Sequence, residues 1–198
     1  MTLVYLIRHG ENDLVGKKLA GRMPGVHLNK RGRRQAESIV GRLAGIPITG
    51  VFSSPLERAI ETAEPLANVH GLSVQVSQGL LEMDYASWQG KTFPQLRRLK
   101  SWKTVQEAPH TFRFPGGESF REAQTRASTE IMRISSVCGP DECAACFSHA
   151  DIIRLALANF LNMQLKDFQR LVIHTASISA LSFESGAVRV IYINRTSS

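Results

Sequence analysis

The apolar run Leu3-Val4-Tyr5-Leu6-Ile7, ending abruptly in Arg8-His9-Gly10-Glu11, constrains this chain more than any other stretch. Four to five consecutive apolar residues without polar alternation fit a strand buried on both faces, as in a parallel sheet. In open α/β sheets the residues just past the carboxyl ends of such strands surround the ligand cleft. A guanidinium and an imidazole are therefore expected at the mouth of a cleft.

Two later segments have the same form. Gly50-Val51-Phe52-Ser53-Ser54-Pro55-Leu56-Glu57-Arg58 reads as a short strand running into a helix, with Ser54 as N-cap, Pro55 at the first helical position and Glu57 completing a capping box. Arg58 then projects from the first helical turn, beside exposed N–H groups and the positive end of the helix dipole. Cys143 to Ser148 leads into His149-Ala150-Asp151 and an apolar, helix-compatible run as far as Leu161. Between these two junctions lies Leu80-Leu81-Glu82-Met83-Asp84-Tyr85-Ala86-Ser87-Trp88-Gln89-Gly90, in which a carboxylate is available as a proton donor.

In this order, Arg8-His9-Gly10, Ser54-Pro55-Leu56-Glu57-Arg58, Leu80-Leu81-Glu82 with Trp88-Gln89-Gly90, and Ser148-His149 resemble the motifs of the histidine phosphatase superfamily, the phosphoglycerate mutase-like proteins. The resemblance runs the length of the chain. It implies that His9 is a nucleophile that is transiently phosphorylated. Arg8, Arg58 and His149 would then bind the phosphoryl group, with Glu82 as acid and then base. Elementary chemistry assigns the same tasks. A neutral imidazole nitrogen attacks phosphorus, guanidinium forks match pairs of phosphoryl oxygens, and a carboxyl group protonates the departing oxygen. Several groups must converge, because enzymes accelerate monoester hydrolysis by up to ~10²¹ and one general acid contributes only ~10² to 10⁴. Glu82 serves in both directions efficiently only if its pKa lies nearer neutrality than that of a free carboxyl group.

Three positions depart from the family pattern. Val15 stands where an asparagine often helps to hold phosphate, and it offers no side-chain hydrogen bond. Asn12, where Thr or Ser is usual, is a candidate replacement ligand. Ala86 and Ala150 occupy places where glycine is usual, so a requirement for positive φ or close approach at either would be strained. Ala150 is nevertheless carried over as a substrate-binding position. The segment Gly21-Arg22-Met23-Pro24-Gly25 resembles a loop of actinobacterial-type members, which makes Arg22 a candidate substrate contact or a loop pin. Glu118, in Phe114-Pro115-Gly116-Gly117-Glu118-Ser119, is similarly either at the substrate mouth or a loop anchor, and Ser119 with Glu122 forms a capping box for a helix to about Val137.

The expected fold is a three-layer α/β/α sandwich with a mostly parallel central sheet and a C-terminal hairpin, Ile178 to Phe183 and Ala187 to Ile193, within a single domain over residues 1–198. The composition, 43% hydrophobic, supports a full core. Neither a secretory signal nor a run of ~18 to 20 apolar residues is evident, which leads to the expectation of a cytoplasmic protein without membrane partners. Cys138, Cys143 and Cys146 are odd in number and lack a fourth ligand at zinc spacing, so reduced thiols, no metal and no cofactor are expected. The net charge of +7 favours anionic partners. Lys30-Arg31-Gly32-Arg33-Arg34, preceded by Asn29 as an N-cap, reads as a solvated helix face rather than a nucleic-acid site, because no aromatic residues interleave it. The partner expected is a small phosphorylated substrate; oligomeric state is not readable. Phosphomonoester hydrolysis is the leading function. A cofactor-dependent phosphoglycerate mutase is the enzymatic alternative, disfavoured by the short span from Glu82 to Pro115, and a non-catalytic phospho-ligand-binding protein is the other.

Overall fold

In a computed structural model, which describes residues 1–196, six strands form one sheet in the order β3-β2-β4-β1-β5-β6. These are β1 (Thr2–Arg8), β2 (Ile48–Ser53), β3 (Val74–Val76), β4 (Cys143–Ser148), β5 (Ile178–Glu184) and β6 (Ala187–Arg195). The pairings β3/β2, β2/β4 and β4/β1 are parallel, and β1/β5 and β5/β6 are antiparallel. The expected mostly parallel sheet with a C-terminal hairpin is thus present.

Alternation along β1 explains the layers. Val4 and Leu6 pack in one core with residues of α5 (Phe120–Val137) and α6 (Ala150–Phe160). Tyr5 and Ile7 pack in the other, against α1 (Lys30–Arg42) and α2 (Glu57–Val69). Both faces of the strand are apolar because both are covered. Two short helices, α3 (Phe93–Arg97) and α4 (Trp102–Glu107), lie in the connection between β3 and α5. Among the described residues no helix is long and apolar enough to cross a membrane.

Local capping signals hold at α1, where the Asn29 side chain accepts from the Arg31 and Gly32 N–H groups, and at α5, where Ser119 and Glu122 form the reciprocal box. They fail at α2. That helix starts at Glu57, and its N-cap is Leu56, with no side-chain capping bond. The Ser54 hydroxyl accepts from the Leu56 N–H at 3.4 Å, and it also lies 2.8 Å from His149 Nε2. The hydroxyl serves a tertiary partner as well as a local one.

Candidate active site

The register of the parallel strands brings the predicted residues together. Arg8 pairs with Ser148, and the His9 N–H donates to the Ser148 carbonyl at 2.9 Å. The Ser54 N–H donates to the Phe147 carbonyl at 2.9 Å. Ser54, His149 and His9 therefore leave neighbouring strands at the same edge of the sheet, and the two imidazoles stand 5.2 Å apart between centroids.

His9 is buried, and its Nδ1 lies 2.7 Å from the Gly10 carbonyl oxygen. A carbonyl only accepts, so Nδ1 carries the hydrogen and Nε2 keeps its lone pair. Gly10 is itself tethered, its N–H donating at 2.9 Å to the Thr62 hydroxyl, which donates to the Arg58 carbonyl. Burial, then the charges of Arg58 and Arg8, hold the His9 pKa well below the ordinary histidine value. The ring is neutral at pH 7, as a nucleophile must be.

His149 has the opposite tautomer. Arg58 Nη2 approaches Nδ1 at 3.3 Å, so Nδ1 accepts and Nε2–H donates to Ser54. Burial first, then Arg58 and His9, depress its pKa strongly. Glu82 Oε2 stands 3.9 Å from His149 Nδ1, but this is no ion pair at neutral pH, because the imidazole stays uncharged. Glu82 is buried and accepts from the Met83 N–H at 3.0 Å. Burial, followed by the nearby charge of Asp151, pushes its carboxyl up to about 7. That lies in the range that acid–base alternation requires.

The guanidinium groups are only partly satisfied. Arg58 donates through Nη2 to the Gly21 carbonyl at 2.7 Å, while its Nε and Nη1 are buried without a protein partner. Arg8 donates through Nη1 to the Ile173 carbonyl at 2.7 Å, and its Nε is likewise unpartnered. Buried donors of this kind are rare because they are costly, and anion binding is a recognised reason for keeping them. Arg8, His9, Arg58 and Glu82 line one end of a cleft of about 480 Å³.

Asn12, Val15 and Ala150 also line this cleft. Asn12 Oδ1 accepts from the Leu14 N–H, which fixes the side chain in its loop. Ala150 opens α6 with helical backbone, so no positive-φ strain arises there. Ala86 differs, with φ of 42°. Arg22 lies outside the cleft lining; it donates to the Glu82 carbonyl and to Glu118, within 3.5 Å of Asp84. Glu118 in turn accepts from Arg126 and from the Asp84 N–H. These bonds tie the Arg22 and Glu118 loops to the Glu82–Asp84 segment. Sequence reasoning attached no role to Thr62, Tyr85, Asp151 or Arg154. Thr62 and Arg154 carry an i, i+4 or i, i+3 spacing to Arg58 and Asp151, the one local signal available. Among the described residues no cluster of three His, Cys, Asp or Glu side chains could hold a metal ion.

The model of the histidine phosphatase superfamily (branch 1) matches residues 4–196. The chain belongs to that family. It is 32% identical over 98% of its length to the bifunctional protein Rv2228c of Mycobacterium tuberculosis, and spans about half (54%) of that relative. An acid phosphatase of M. tuberculosis is 31% identical, with 98% of this chain and 92% of that protein covered. Among solved structures, a mycobacterial glucosyl-3-phosphoglycerate phosphatase in complex with VO3 superposes with a TM-score of 0.88 at 26% identity, covering 98% and 99% of the two chains. The expected superfamily and fold are thereby established, and the relatives include phosphatases.

Proposed function

We propose that residues 1–198 form a single domain that acts as a metal-independent phosphomonoesterase, hydrolysing a small phosphorylated metabolite through a phosphohistidine on His9. The observation that carries this reading is a neutral His9, its Nδ1 fixed on the Gly10 carbonyl, beside guanidinium nitrogens of Arg8 and Arg58 that lack protein partners. In the first half-reaction the Nε2 lone pair forms a bond to phosphorus as the ester P–O bond breaks. The departing oxygen takes the proton of the Glu82 carboxyl group. Arg8, Arg58 and His149 surround the equatorial oxygens, where the transition state spreads its charge. In the second, the Glu82 carboxylate takes a proton from water, the water oxygen bonds to phosphorus and the N–P bond breaks. Phosphate leaves with His9 neutral and Glu82 protonated again.

Quenching a reaction with ³²P-labelled monoester into alkali tests this. Label on His9, absent from His9→Ala, with free phosphate as the product, is the expected result. Transfer of label to a second substrate molecule rather than to water would make the protein a mutase. Absence of both label and release would leave a phospho-ligand-binding protein.

A further inference from the structure

The cleft extends well past the phosphoryl end, and its continuation has a different character. Leu14, Val15, Leu19, Phe93 and Trp102 line it and are each only half-buried, so apolar surface faces solvent inside a concavity. Three of the polar side chains nearby already have protein acceptors. The Tyr85 hydroxyl donates to Asp151 Oδ2 at 2.7 Å, Arg154 Nη1 donates to Asp151 Oδ1 at 2.9 Å, and Gln169 Nε2 donates to the Val105 carbonyl at 3.0 Å. Lys18 and Gln106 line the cleft as exposed side chains, and the Nε of Arg154 is buried without a partner. The wall is also fixed in place. The Leu19 N–H donates to the Lys91 carbonyl and the Gly90 N–H to the Leu19 carbonyl, while Trp102 stacks on Trp88 at 6.3 Å between centroids.

We infer that the substrate's leaving group is an apolar chain or ring seated on this wall, so that alkyl or aryl monophosphates are preferred over polyhydroxylated or carboxylated ones. The inference rests on the phosphomonoesterase reading, because continuity with the phosphoryl end is what selects this occupant over any other apolar molecule. Covering half-exposed apolar side chains in a preformed pocket removes area from water at little ordering cost. A hydroxyl turned toward the same wall loses its water partners and gains none, which costs about tenfold in affinity. Val15 adds to this apolar lining at a position where an asparagine would have offered hydrogen bonds.

The test is a calorimetric titration of the full chain with n-alkylphosphonates from methyl to octyl, which bind without being cleaved, alongside 3-phosphonopropionate and a hydroxylated phosphonate. Kd is expected to fall about threefold per added methylene until the wall is covered. The carboxylated and hydroxylated ligands should bind more weakly than butylphosphonate, and Phe93→Ala and Trp102→Ala should each flatten the series. A flat series in the wild type, or tighter binding of 3-phosphonopropionate, where Arg154 and Lys18 would hold a carboxylate, overturns the inference. Hydrolysis of the matching alkyl phosphates separates the two proposals. A flat series with His9-dependent cleavage leaves the phosphatase standing and removes the apolar subsite. A sloped series without cleavage does the reverse.

Discussion

At the end of the cleft proposed to hold the phosphoryl group His9, Arg58 and Glu82 are buried and several guanidinium nitrogens have no protein partner, whereas at the far end Leu19, Phe93 and Trp102 are half-exposed and the nearby polar groups are largely paired. One end holds polar donors away from water; the other holds apolar surface in it. Each departs from the usual arrangement of a folded interior, and under the proposed function each departure is relieved by one half of a phosphomonoester. The first half is reactive and must be positioned to a fraction of an ångström; the second contributes affinity and tolerates variation. Substitutions at the two ends should therefore separate cleanly, in activity at one and in chain-length dependence at the other.

Glu82→Gln tests the reactive end most severely. It should lower kcat/KM by ~10² to 10⁴ for alkyl esters, whose leaving groups need a proton, and much less for a nitrophenyl ester. It should leave the alkylphosphonate series intact. Wild-type kcat should fall as pH rises through about 7, where the carboxyl group loses its proton, and the variant should lack that limb. Stability follows the same group. A folded pKa of about 7 against an ordinary value of 4.5 gives a contribution that is fully present below 4.5 and lost as pH rises through 7, corresponding to about 3 kcal/mol at most. Denaturant titrations at pH 4.5 and 8 should show a smaller loss in Glu82→Gln than in the wild type.

Arg58→Met comes next. Removing a donor set proposed to bind the transition state should cost ~10² to 10³ in kcat/KM. The same change should raise the thermal midpoint, because an incompletely paired buried charge gives way to an apolar side chain of similar length, a gain of about 1 kcal/mol. A fall in both activity and stability would mean that Arg58 is chiefly structural, held by Gly21 and His149, and would break the contrast between the two ends.

The three junction residues His9, Arg58 and His149 were legible in the sequence because each sits where an apolar run meets a helix or loop, a local pattern that strand register then converts into proximity. Glu82 was found only through its neighbours Trp88-Gln89-Gly90 in the motif. Thr62 and Asp151 were not legible. Thr62 matters through the backbone of Gly10, 52 positions away, and Asp151 through Tyr85, 66 away, and no local periodicity records such distances. Ser54 was legible only in part, because its hydroxyl accepts from the nearby Leu56 N–H while its shorter contact is to His149, 95 positions away. The two departures from glycine, Ala86 and Ala150, look equivalent in the sequence, yet only Ala86 has a left-handed backbone.

Asp151 sits between the two ends, accepting from Tyr85 and Arg154 while its charge raises the Glu82 pKa. Asp151→Asn keeps an acceptor and removes the charge. The limb of the pH–kcat profile assigned to Glu82 should move to lower pH, with kcat at pH 6 within roughly tenfold of the wild type. An unmoved limb would mean that burial, and not Asp151, raises the Glu82 pKa against the lowering effect of Arg58 and Arg8, and the far end would then have no electrostatic hold on the reactive one.

The smallest effect is expected at Ala86, and it concerns how the two ends are joined. The segment from Glu82 to Trp88 runs from the proposed general acid to the aromatic wall, with the short helical turn Ala86–Trp88 at its bend. The φ of 42° at Ala86 places a methyl group in the left-handed region, which costs about 1 to 2 kcal/mol against a right-handed backbone. The Asp84 side chain holds the bend by accepting from the Ala86 N–H at 2.9 Å. Ala86→Gly removes the strain and adds freedom to the unfolded chain, so the net gain in stability should be about 0.5 to 1 kcal/mol. If the bend is merely strained, the alkylphosphonate slope and kcat should both be unchanged while the thermal midpoint rises. If the strain instead fixes Trp88 relative to Glu82, the same substitution should weaken the chain-length dependence without touching the affinity for methylphosphonate, and the two ends would be coupled through this one residue.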